Sequence, residues 1–296
     1  MSMTATRVQH ESAEPIELAE PEHALWRDSI RRRCGLDFSE GRRRFLSQRL
    51  RERMSLLGIE SYGEYYRFVE HDFEGGREWQ RLIELLLINE TSFFRHPPSY
   101  EVLATYALPE LMRERPGQQP GEDFIRMWSA GCSTGQEAYS MAMIFPRAAG
   151  AGQSWQTRIV GTDISERALA KARRGHYRKH ELRGLPERFA GRHLAPAEGE
   201  PGVYKITDDV RAHVRFARFN LAGADDFYMP EQDVIFCQNV MIYFSLDSRR
   251  EIFARLCRQL RRGGYLFLAP GESVGLQHPG ATPVRVHDTM IHRRAE

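Results

Sequence analysis

Two short segments of the sequence carry residues that could hold a nucleoside-containing ligand. The segment Ser129–Glu137 follows a strand-like run and contains two glycines, which allow a ligand to approach the backbone closely. A second strand-like run ends at Asp163, where a carboxylate can accept hydrogen bonds from both hydroxyls of an adenosine ribose. Asp163 could instead cap the helix predicted to begin at Glu166, a role that Ser165 could also fill. We expect the ribose role, because the glycine turn and the acid occur together.

A third segment, Gln238–Phe244, follows another strand-like run and combines amides with an aromatic hydroxyl. In an open α/β sheet, ligands bind outside the carboxyl ends of the strands, so this segment would lie at the mouth of the same cleft. The alternative is that Tyr243 and Phe244 are ordinary core residues. The chain lacks the G-x-G-x-x-G dinucleotide pattern and the G-x-x-x-x-G-K-[ST] phosphate loop. An adenosine site without these patterns indicates S-adenosylmethionine as the ligand.

The elements that must position these segments alternate between strand and helix from residue 124 onward. Strands are predicted at 124–128, 158–161, 213–219, 233–237 and 264–268, and helices at 136–149, 166–174 and 246–260. This alternation predicts a parallel sheet covered on both faces, which is an α/β fold. Gly263-Gly264 is predicted to end the last helix. Residues 178–210 interrupt the pattern and predict a small inserted β element, and residues 282–293 predict one or two final strands.

The first part of the chain shows helical periodicity instead. Apolar residues recur at helical spacing over residues 26–73, and further helices are predicted at 79–88 and 99–113. Residues 1–22 are acidic and lack the apolar core of a signal peptide, so we expect them to form a flexible arm. A small all-α domain at residues 23–88 is therefore expected before the α/β domain.

The composition is typical of a folded protein and excludes several classes. Of the 296 residues, 41% are hydrophobic and 28% are charged, and the apolar runs are too short for a membrane span. The four cysteines are far apart and have no zinc-binding spacing. We therefore expect free thiols in a reducing cytoplasm and no metal site.

An arginine-rich segment, residues 27–53, stands out in a chain of formal net charge +2. It holds ten arginines and four acidic residues, with no lysine. Arginine suits the recognition of carboxylates and phosphates, so the segment could bind an acidic partner. From charge alone, nucleic acid, an acidic protein helix and an anionic membrane surface all stay possible, as does a solvated helix face without a partner.

The order and spacing of several motifs resemble the chemotaxis receptor glutamate methyltransferase (CheR) family. The motifs that carry the resemblance are, in chain order, Asn89–Arg95, Trp128–Gly135, Asp163, Asn220-Leu221 and Phe236–Phe244. The resemblance extends over about residues 25–292. It implies a Rossmann-like S-adenosylmethionine-dependent methyltransferase domain at residues 89–296, with a small antiparallel β subdomain inserted at about 178–210 and an all-α domain before it.

The resemblance also implies the residues of the site. Those expected to line the cofactor site are Asn89, Thr91, Arg95, Glu137, Asp163, Asn220, Leu221, Gln238 and Asn239. Arg95 and Tyr243 are expected to flank the reacting methyl group as catalytic residues. Gln238 stands where the family has arginine, a change that a contact through its backbone would tolerate. Ala269–Ser273 replaces a histidine-containing turn.

The reaction that the resemblance implies moves a methyl group from a sulfonium to a glutamate oxygen. Glutamate has a reference pKa of ~4.3 and is ionised at neutral pH, so we expect alignment of the reactants rather than a general base. The implied substrates are the glutamate-rich cytoplasmic helices of methyl-accepting chemotaxis receptors. The arginines expected to dock along such a helix are Arg42, Arg43, Arg44, Arg49 and Arg53.

Two other functions are compatible with parts of the sequence. A nucleic-acid methyltransferase would use the arginines on phosphates, but the sequence after the fourth strand lacks a Pro-Pro-Tyr/Trp signature. A non-catalytic module that only senses the cofactor would not need Arg95, Asp163 and Tyr243 together. We expect a cytoplasmic monomer, with no nucleic-acid partner and no membrane insertion.

Overall fold

The computed structural model describes residues 17–114, 124–149, 155–223 and 229–295, which fold into two compact units. The first unit contains residues up to Ser29 together with Phe38–Leu86. The second unit contains Ile30–Asp37 and the chain from Leu87 onward. Most of the expected flexible arm at residues 1–22 lies outside the described residues, which begin at residue 17.

The described part of the first unit is helical, as predicted. Its helices are α1 (Glu20–Cys34), whose last turn belongs to the second unit, α2 (Arg43–Leu57), α3 (Tyr62–His71) and α4 (Gly75–Leu86). Local signals set the helix ends: Gly58 ends α2 in the left-handed conformation, with φ 68°, and the Ser61 hydroxyl caps α3 by accepting the Glu64 N–H at 3.1 Å. Trp26 and Tyr65 pack in the core with ring centroids 5.1 Å apart.

The second unit is built on two β-sheets. Its strands are β1 (Phe124–Ala130), β2 (Gln156–Asp163), β3 (His176–Arg178), β4 (Leu194–Pro196), β5 (Val203–Ile206), β6 (Val214–Arg218), β7 (Gln232–Cys237), β8 (Leu260–Leu268), β9 (Ala281–Val286) and β10 (Thr289–Arg294). Seven strands form one sheet in the order β6-β2-β1-β7-β8-β10-β9, in which the first five are parallel and the last two pair antiparallel. β3, β5 and β4 form a separate antiparallel sheet. The predicted α/β class with an inserted antiparallel element is confirmed.

Helices pack against the two sheets of the second unit, and the central strands of the large sheet are buried. The helices are α5 (Pro97–Val102), α6 (Leu108–Glu114), α7 (Gln136–Ala149), α8 (Glu166–Arg174), α9 (Glu187–His193), α10 (Asp208–Ala212) and α11 (Leu246–Gln259), with a π-helical turn at Leu103–Ala107 joining α5 to α6. Every residue of β7 is buried, as a central parallel strand requires. Met127, Met141 and Phe236 lie in the resulting core. Within the described residues, no helix is both long enough and apolar enough to cross a membrane.

The prediction that Gly263-Gly264 ends the last helix is wrong. α11 ends at Gln259, and Leu260 already has the extended conformation of β8. The two glycines lie inside β8, where its register against β7 shifts. Gly263 has φ 76°, and a Cβ on Gly264 would lie 2.9 Å from the Asp233 carbonyl oxygen. They therefore form an irregularity within the strand, a common role for glycine in a sheet.

Candidate functional site

The strand order of the large sheet brings two loops together at its centre. From β1 the chain passes to β2 and β6 on one side, and then returns to β7 on the other side of β1. The carboxyl ends of β1 and β7 are therefore the topological switch point of the sheet, where open α/β folds bind ligands. The glycine turn (131–136) follows β1, and the β7 loop (238–244) follows β7. A Cβ on Gly131 would lie only 2.5 Å from Val240, so the two loops are in contact.

The glycine turn has a conformation that requires glycine. Gly131 and Gly135 have φ values of 85° and 96°, in the left-handed region that favours residues without a Cβ. The N–H groups of Gly131 and Cys132 both donate to the Thr162 carbonyl at 2.8 Å. These two bonds fix the turn against the end of β2.

Asp163 connects the end of β2 to the glycine turn. One carboxylate oxygen accepts the Ser133 N–H at 2.8 Å, and the other accepts the Ser165 N–H at 2.9 Å. The helix cap is Ser165, whose hydroxyl accepts the Ala168 N–H at 3.0 Å. The capping alternative for Asp163 is therefore wrong, and the carboxylate lies across the carboxyl ends of β1 and β2.

Glu137 places a buried carboxyl group in the first turn of α7. It is 9% exposed, accepts the Ser129 hydroxyl at 2.7 Å and makes no salt bridge with the described residues. Burial raises the pKa of Glu137 to about 8; the nearby Glu272 carboxyl adds to the increase, whereas the Ser129 hydrogen bond and Arg95 oppose it. Burial disfavours the ionised form of Glu137, which has no salt bridge among the described residues to compensate its charge. A cation bound beside Glu137 would supply that compensation and would favour the ionised carboxylate.

Arg95 lies on the irregular segment between residues 87 and 96. Its side chain is exposed, and Nη1 donates to the Glu90 carbonyl at 2.8 Å. Asn89 and Thr91 are half-buried on the same segment. The Asn89 carbonyl accepts the Ser133 hydroxyl at 3.4 Å, which connects this segment to the glycine turn.

The β7 loop carries three of the expected site residues. The buried Gln238 amide donates to the Ser99 hydroxyl at 2.8 Å, so its side chain is engaged inside the fold. Asn239 has φ 59°, which is uncommon for a residue other than glycine. Tyr243 ends the 3₁₀ turn Met241–Tyr243 and is half-buried.

Asn220 and Leu221 follow β6 at the same edge of the sheet. The Asn220 amide donates to the Arg33 carbonyl at 2.8 Å, and its oxygen accepts the Ala222 N–H at 3.2 Å. Leu221 is buried. The neighbouring Phe219 N–H donates to the Asp163 carbonyl at 3.0 Å, which places this loop beside the end of β2.

Two residues of this region were missed by the sequence analysis. Ser129 orients Glu137, and Glu272 bonds the backbone of the β7 loop. The sequence pattern identifies Glu272 only as part of the turn Ala269–Ser273. An acid in the turn that follows a buried strand, at the edge where the other strand ends meet, was the signal that could have identified it.

The docking arginines of the first unit differ in their surroundings. Arg53 forms a two-pronged salt bridge with the buried Glu78, with both N–O distances at 2.7 Å, and is 12% exposed. Arg43 bonds Glu20 at 3.0 Å, and Arg49 bonds Glu52 at 3.1 Å. Arg42 is half-buried. Arg44, in contrast, is exposed and makes no hydrogen bond or ion pair with the described residues.

The four cysteines are buried and offer no reactive thiolate. Burial raises the pKa of Cys34 and Cys257 to about 12 and holds those of Cys132 and Cys237 well above the ordinary value. Cys132 lies in the glycine turn, yet the nearby carboxylates of Asp163 and Glu137 raise its pKa further. A cysteine nucleophile is therefore not part of this site.

Comparison with known proteins gives consistent matches along the chain. The family described as "CheR methyltransferase, all-alpha domain" matches residues 21–87, and "CheR methyltransferase, SAM binding domain" matches residues 89–290. The chain is 34% identical to the chemotaxis protein methyltransferase Cher2 of Pseudomonas putida, over 83% of this chain and 87% of that protein. It is 35% identical to chemotaxis protein methyltransferase 1 of Pseudomonas aeruginosa, over 86% and 91%. It is 33% identical to the chemotaxis protein methyltransferase of Escherichia coli, over 82% and 81%.

Proposed function

Because the chain belongs to the CheR methyltransferase family, we propose that it methylates glutamate side chains of methyl-accepting chemotaxis receptors, with S-adenosylmethionine as the methyl donor. The products are γ-glutamyl methyl esters, which set the adaptation state of the receptor, and S-adenosylhomocysteine. The observation that carries the proposal is the meeting of Asp163, Glu137 and the β7 loop at the switch point of a sheet whose sequence matches this family.

The residues at the switch point fit S-adenosylmethionine. The Asp163 carboxylate at the end of β2 suits the two ribose hydroxyls. The buried Glu137, which lacks a salt bridge to the described residues, suits the cationic amino acid part of the cofactor. The cofactor supplies a methyl group bonded to a positively charged sulfur. Asn89, Thr91, Asn220 and Leu221 would complete the lining, with Asn239 and the backbone of Gln238.

Arg95 and Tyr243 would orient the reactants. The incoming glutamate is already an anion, so the site must align its oxygen with the methyl carbon and the sulfur and exclude water. Alignment of this kind contributes roughly 7–11 kcal/mol in the best cases. A strong salt bridge to the substrate carboxylate would stabilise the ground state, so Arg95 would hold the cofactor's own carboxylate and Tyr243 would donate a hydrogen bond to the incoming oxygen.

The first unit would recognise the acidic receptor helix. Its docking arginines lie on and just before α2, and Arg44 is exposed to solvent. A substrate on the cytoplasmic helices of a receptor places the protein in the cytoplasm, and we propose that it acts there as a monomer without nucleic acid.

The test is to incubate the protein with methyl-labelled S-adenosylmethionine and a receptor cytoplasmic fragment, and then to release volatile methanol with alkali. We expect alkali-labile label from the wild type. Y243F and R95A should lower kcat about ten-fold or more, equivalent to ~1.4 kcal/mol of transition-state stabilisation. R250A, which removes an exposed arginine from α11, is the control and should keep wild-type activity.

Two results would overturn the proposal. Label that survives alkali would indicate another acceptor, such as nitrogen in a nucleic acid. Binding of S-adenosylhomocysteine without transfer to any of a panel of receptor fragments would support the cofactor-sensing module instead.

A further inference from the structure

Glu272 is a buried carboxylate that the proposed reaction does not yet use. It lies in the turn after β8 and is 4% exposed. Its Oε2 accepts the N–H groups of Asn239 and Ala269, each at 2.9 Å. The N–H groups of Met241 and Ile242 also face the carboxylate and stabilise its charge, although Oε1 makes no hydrogen bond of ordinary geometry.

These backbone groups belong to two different loops. Ala269 directly follows β8, whereas Asn239, Met241 and Ile242 belong to the β7 loop. Glu272 therefore joins the carboxyl ends of two neighbouring parallel strands at the switch point. The pairing of β7 with β8 ends at Cys237, so the backbone N–H groups beyond it have no strand partner. The carboxylate of Glu272 accepts hydrogen bonds from two of them, those of Asn239 and Ala269.

The β7 loop needs such a support because its backbone is strained. Asn239 has φ 59°, in the left-handed region that disfavours residues with a Cβ unless their surroundings hold them there. The Asn239 N–H is one of the two that bond Glu272 at 2.9 Å. The N–H groups of Met241 and Ile242, which also face Glu272, come from the 3₁₀ turn that ends at Tyr243.

We propose that Glu272 is a positioning residue for methyl transfer, whose carboxylate holds the β7 loop so that Asn239 meets the cofactor and Tyr243 meets the acceptor oxygen. The expected effect on methyl transfer rests on the proposed function. The expected effect on cofactor affinity does not. A carboxylate suits this place because neither of its oxygens carries a hydrogen: Oε2 accepts two N–H groups, and Oε1 presents no donor to the remaining backbone N–H groups. An amide at the same place would turn an NH₂ donor toward backbone donors.

The test uses E272Q, with D233N as the matched control. Asp233 is also a buried carboxylate that accepts a backbone N–H, from Arg126 at 2.8 Å, but it lies at the amino end of β7, away from the switch point. We expect E272Q to weaken S-adenosylhomocysteine binding about ten-fold by calorimetry and to lower kcat about ten-fold at saturating cofactor and receptor, with an unchanged KM for receptor. D233N should lower the melting temperature and leave both quantities within about two-fold of the wild type.

A double-mutant cycle with Y243F separates positioning from folding. If Glu272 acts through Tyr243, E272Q should lower kcat much less in the Y243F background than in the wild type, because residues that act through each other are not additive. Additive effects of E272Q and Y243F would overturn the inference. So would equal losses of S-adenosylhomocysteine affinity in E272Q and D233N.

E272D provides a second variant if E272Q does not fold. It keeps the negative charge but withdraws the carboxylate by one methylene, so we expect a near-normal melting temperature with reduced kcat and cofactor affinity. Wild-type affinity and kcat in E272D would overturn the inference. A wild-type chain that binds S-adenosylhomocysteine but methylates no receptor would overturn the proposed function instead, while the affinity comparison would still test Glu272.

Discussion

At the scale of single residues, the candidate site is distinguished by two buried carboxyl groups that make no salt bridge with any residue that the structure describes. Burial raises the pKa of both Glu137 and Glu272, and each also responds to nearby hydrogen-bond donors. Such groups are costly to ionise in the absence of a compensating cation. We propose that the cationic cofactor supplies that compensation at Glu137, which would make the buried carboxyl group selective for a cationic ligand.

We predict that the affinity for S-adenosylmethionine rises with pH between about 6 and 8. The pKa of Glu137 is about 8 without ligand, and a bound cation favours its ionised form, so binding below pH 8 must release a proton. Affinity should therefore level off above pH 8, where Glu137 is already ionised. Calorimetry at pH 7 in two buffers of different ionisation enthalpy measures the proton release directly, and E137Q, which cannot ionise, should show none from this site.

The same shift predicts how stability without ligand depends on pH. The pKa of Glu137 in the folded protein lies above its ordinary value of 4.5, so the folded state holds this proton more tightly. The resulting stabilisation is complete below about pH 4.5 and is lost as pH rises to about 8. The free energy of unfolding of the wild type should therefore decrease relative to E137Q over this range. An unchanged difference between the two proteins would contradict the assignment.

At the scale of elements, the inserted segment supports the loop that carries Arg95. The rings of Phe93 and Tyr177 are 5.2 Å apart, and those of Phe94 and Phe189 stack at 5.0 Å. Tyr177 belongs to β3, where the insertion begins, and Phe189 belongs to α9 within it, so two elements at this end of the insertion contact the same segment. The insertion is therefore part of the framework of the candidate site.

We predict that G184A disturbs this contact and lowers activity. Gly184 has φ 86°, and a Cβ there would lie 2.2 Å from the Phe93 carbonyl oxygen, so the segment before Arg95 must move. We expect the free energy of unfolding to fall by about 2 kcal/mol and kcat to fall with it. G191A is the control, because Gly191 lies in α9 with no atom within 4 Å of its added Cβ, and it should be neutral or slightly stabilising. Equal kcat in the two variants would show that the contact does not position Arg95.

At the scale of the whole molecule, we expect exposed arginines to serve receptor docking and buried arginines to serve folding. Arg44 and Arg53 both lie on α2, but Arg44 is exposed, whereas Arg53 bonds the buried Glu78 together with the Tyr65 hydroxyl. Removing the partner of a buried charge costs about 3–5 kcal/mol, whereas changing an exposed arginine costs little stability.

We predict that variants at these two positions change different quantities, the KM for receptor at Arg44 and the stability of the fold at Arg53. R44E should raise the KM for receptor, with an unchanged melting temperature and unchanged S-adenosylhomocysteine affinity, and the wild-type KM should rise with salt. R53M should lower the free energy of unfolding by about 3 kcal/mol. A salt-insensitive KM, or an R44E variant with wild-type KM, would exclude docking through this surface.

Much of the fold and the kind of cofactor were predictable from the sequence, because the signals are local. Helical spacing and strand–helix alternation report burial along each element, and the carboxyl ends of parallel strands always meet at one edge. Asp163 and the glycine turn could therefore be paired across the chain from their positions after two predicted parallel strands. The roles assigned to Arg95 and Tyr243 remain predictions.

Only the tertiary structure decided which groups contact one another across long stretches of chain. The Gln238 amide donates a hydrogen bond to Ser99, which is 139 residues away in the sequence. Glu272 accepts one from the Asn239 N–H, which is 33 residues away. The pairing of β7 with β8 likewise placed Gly263-Gly264 inside a strand rather than at a helix end. The sequence by itself determined the elements and the strand ends where chemistry is possible, because those depend on neighbouring residues. The structure decided how each polar side chain is satisfied, because that depends on which distant backbone and side-chain groups the sheet brings within hydrogen-bond reach.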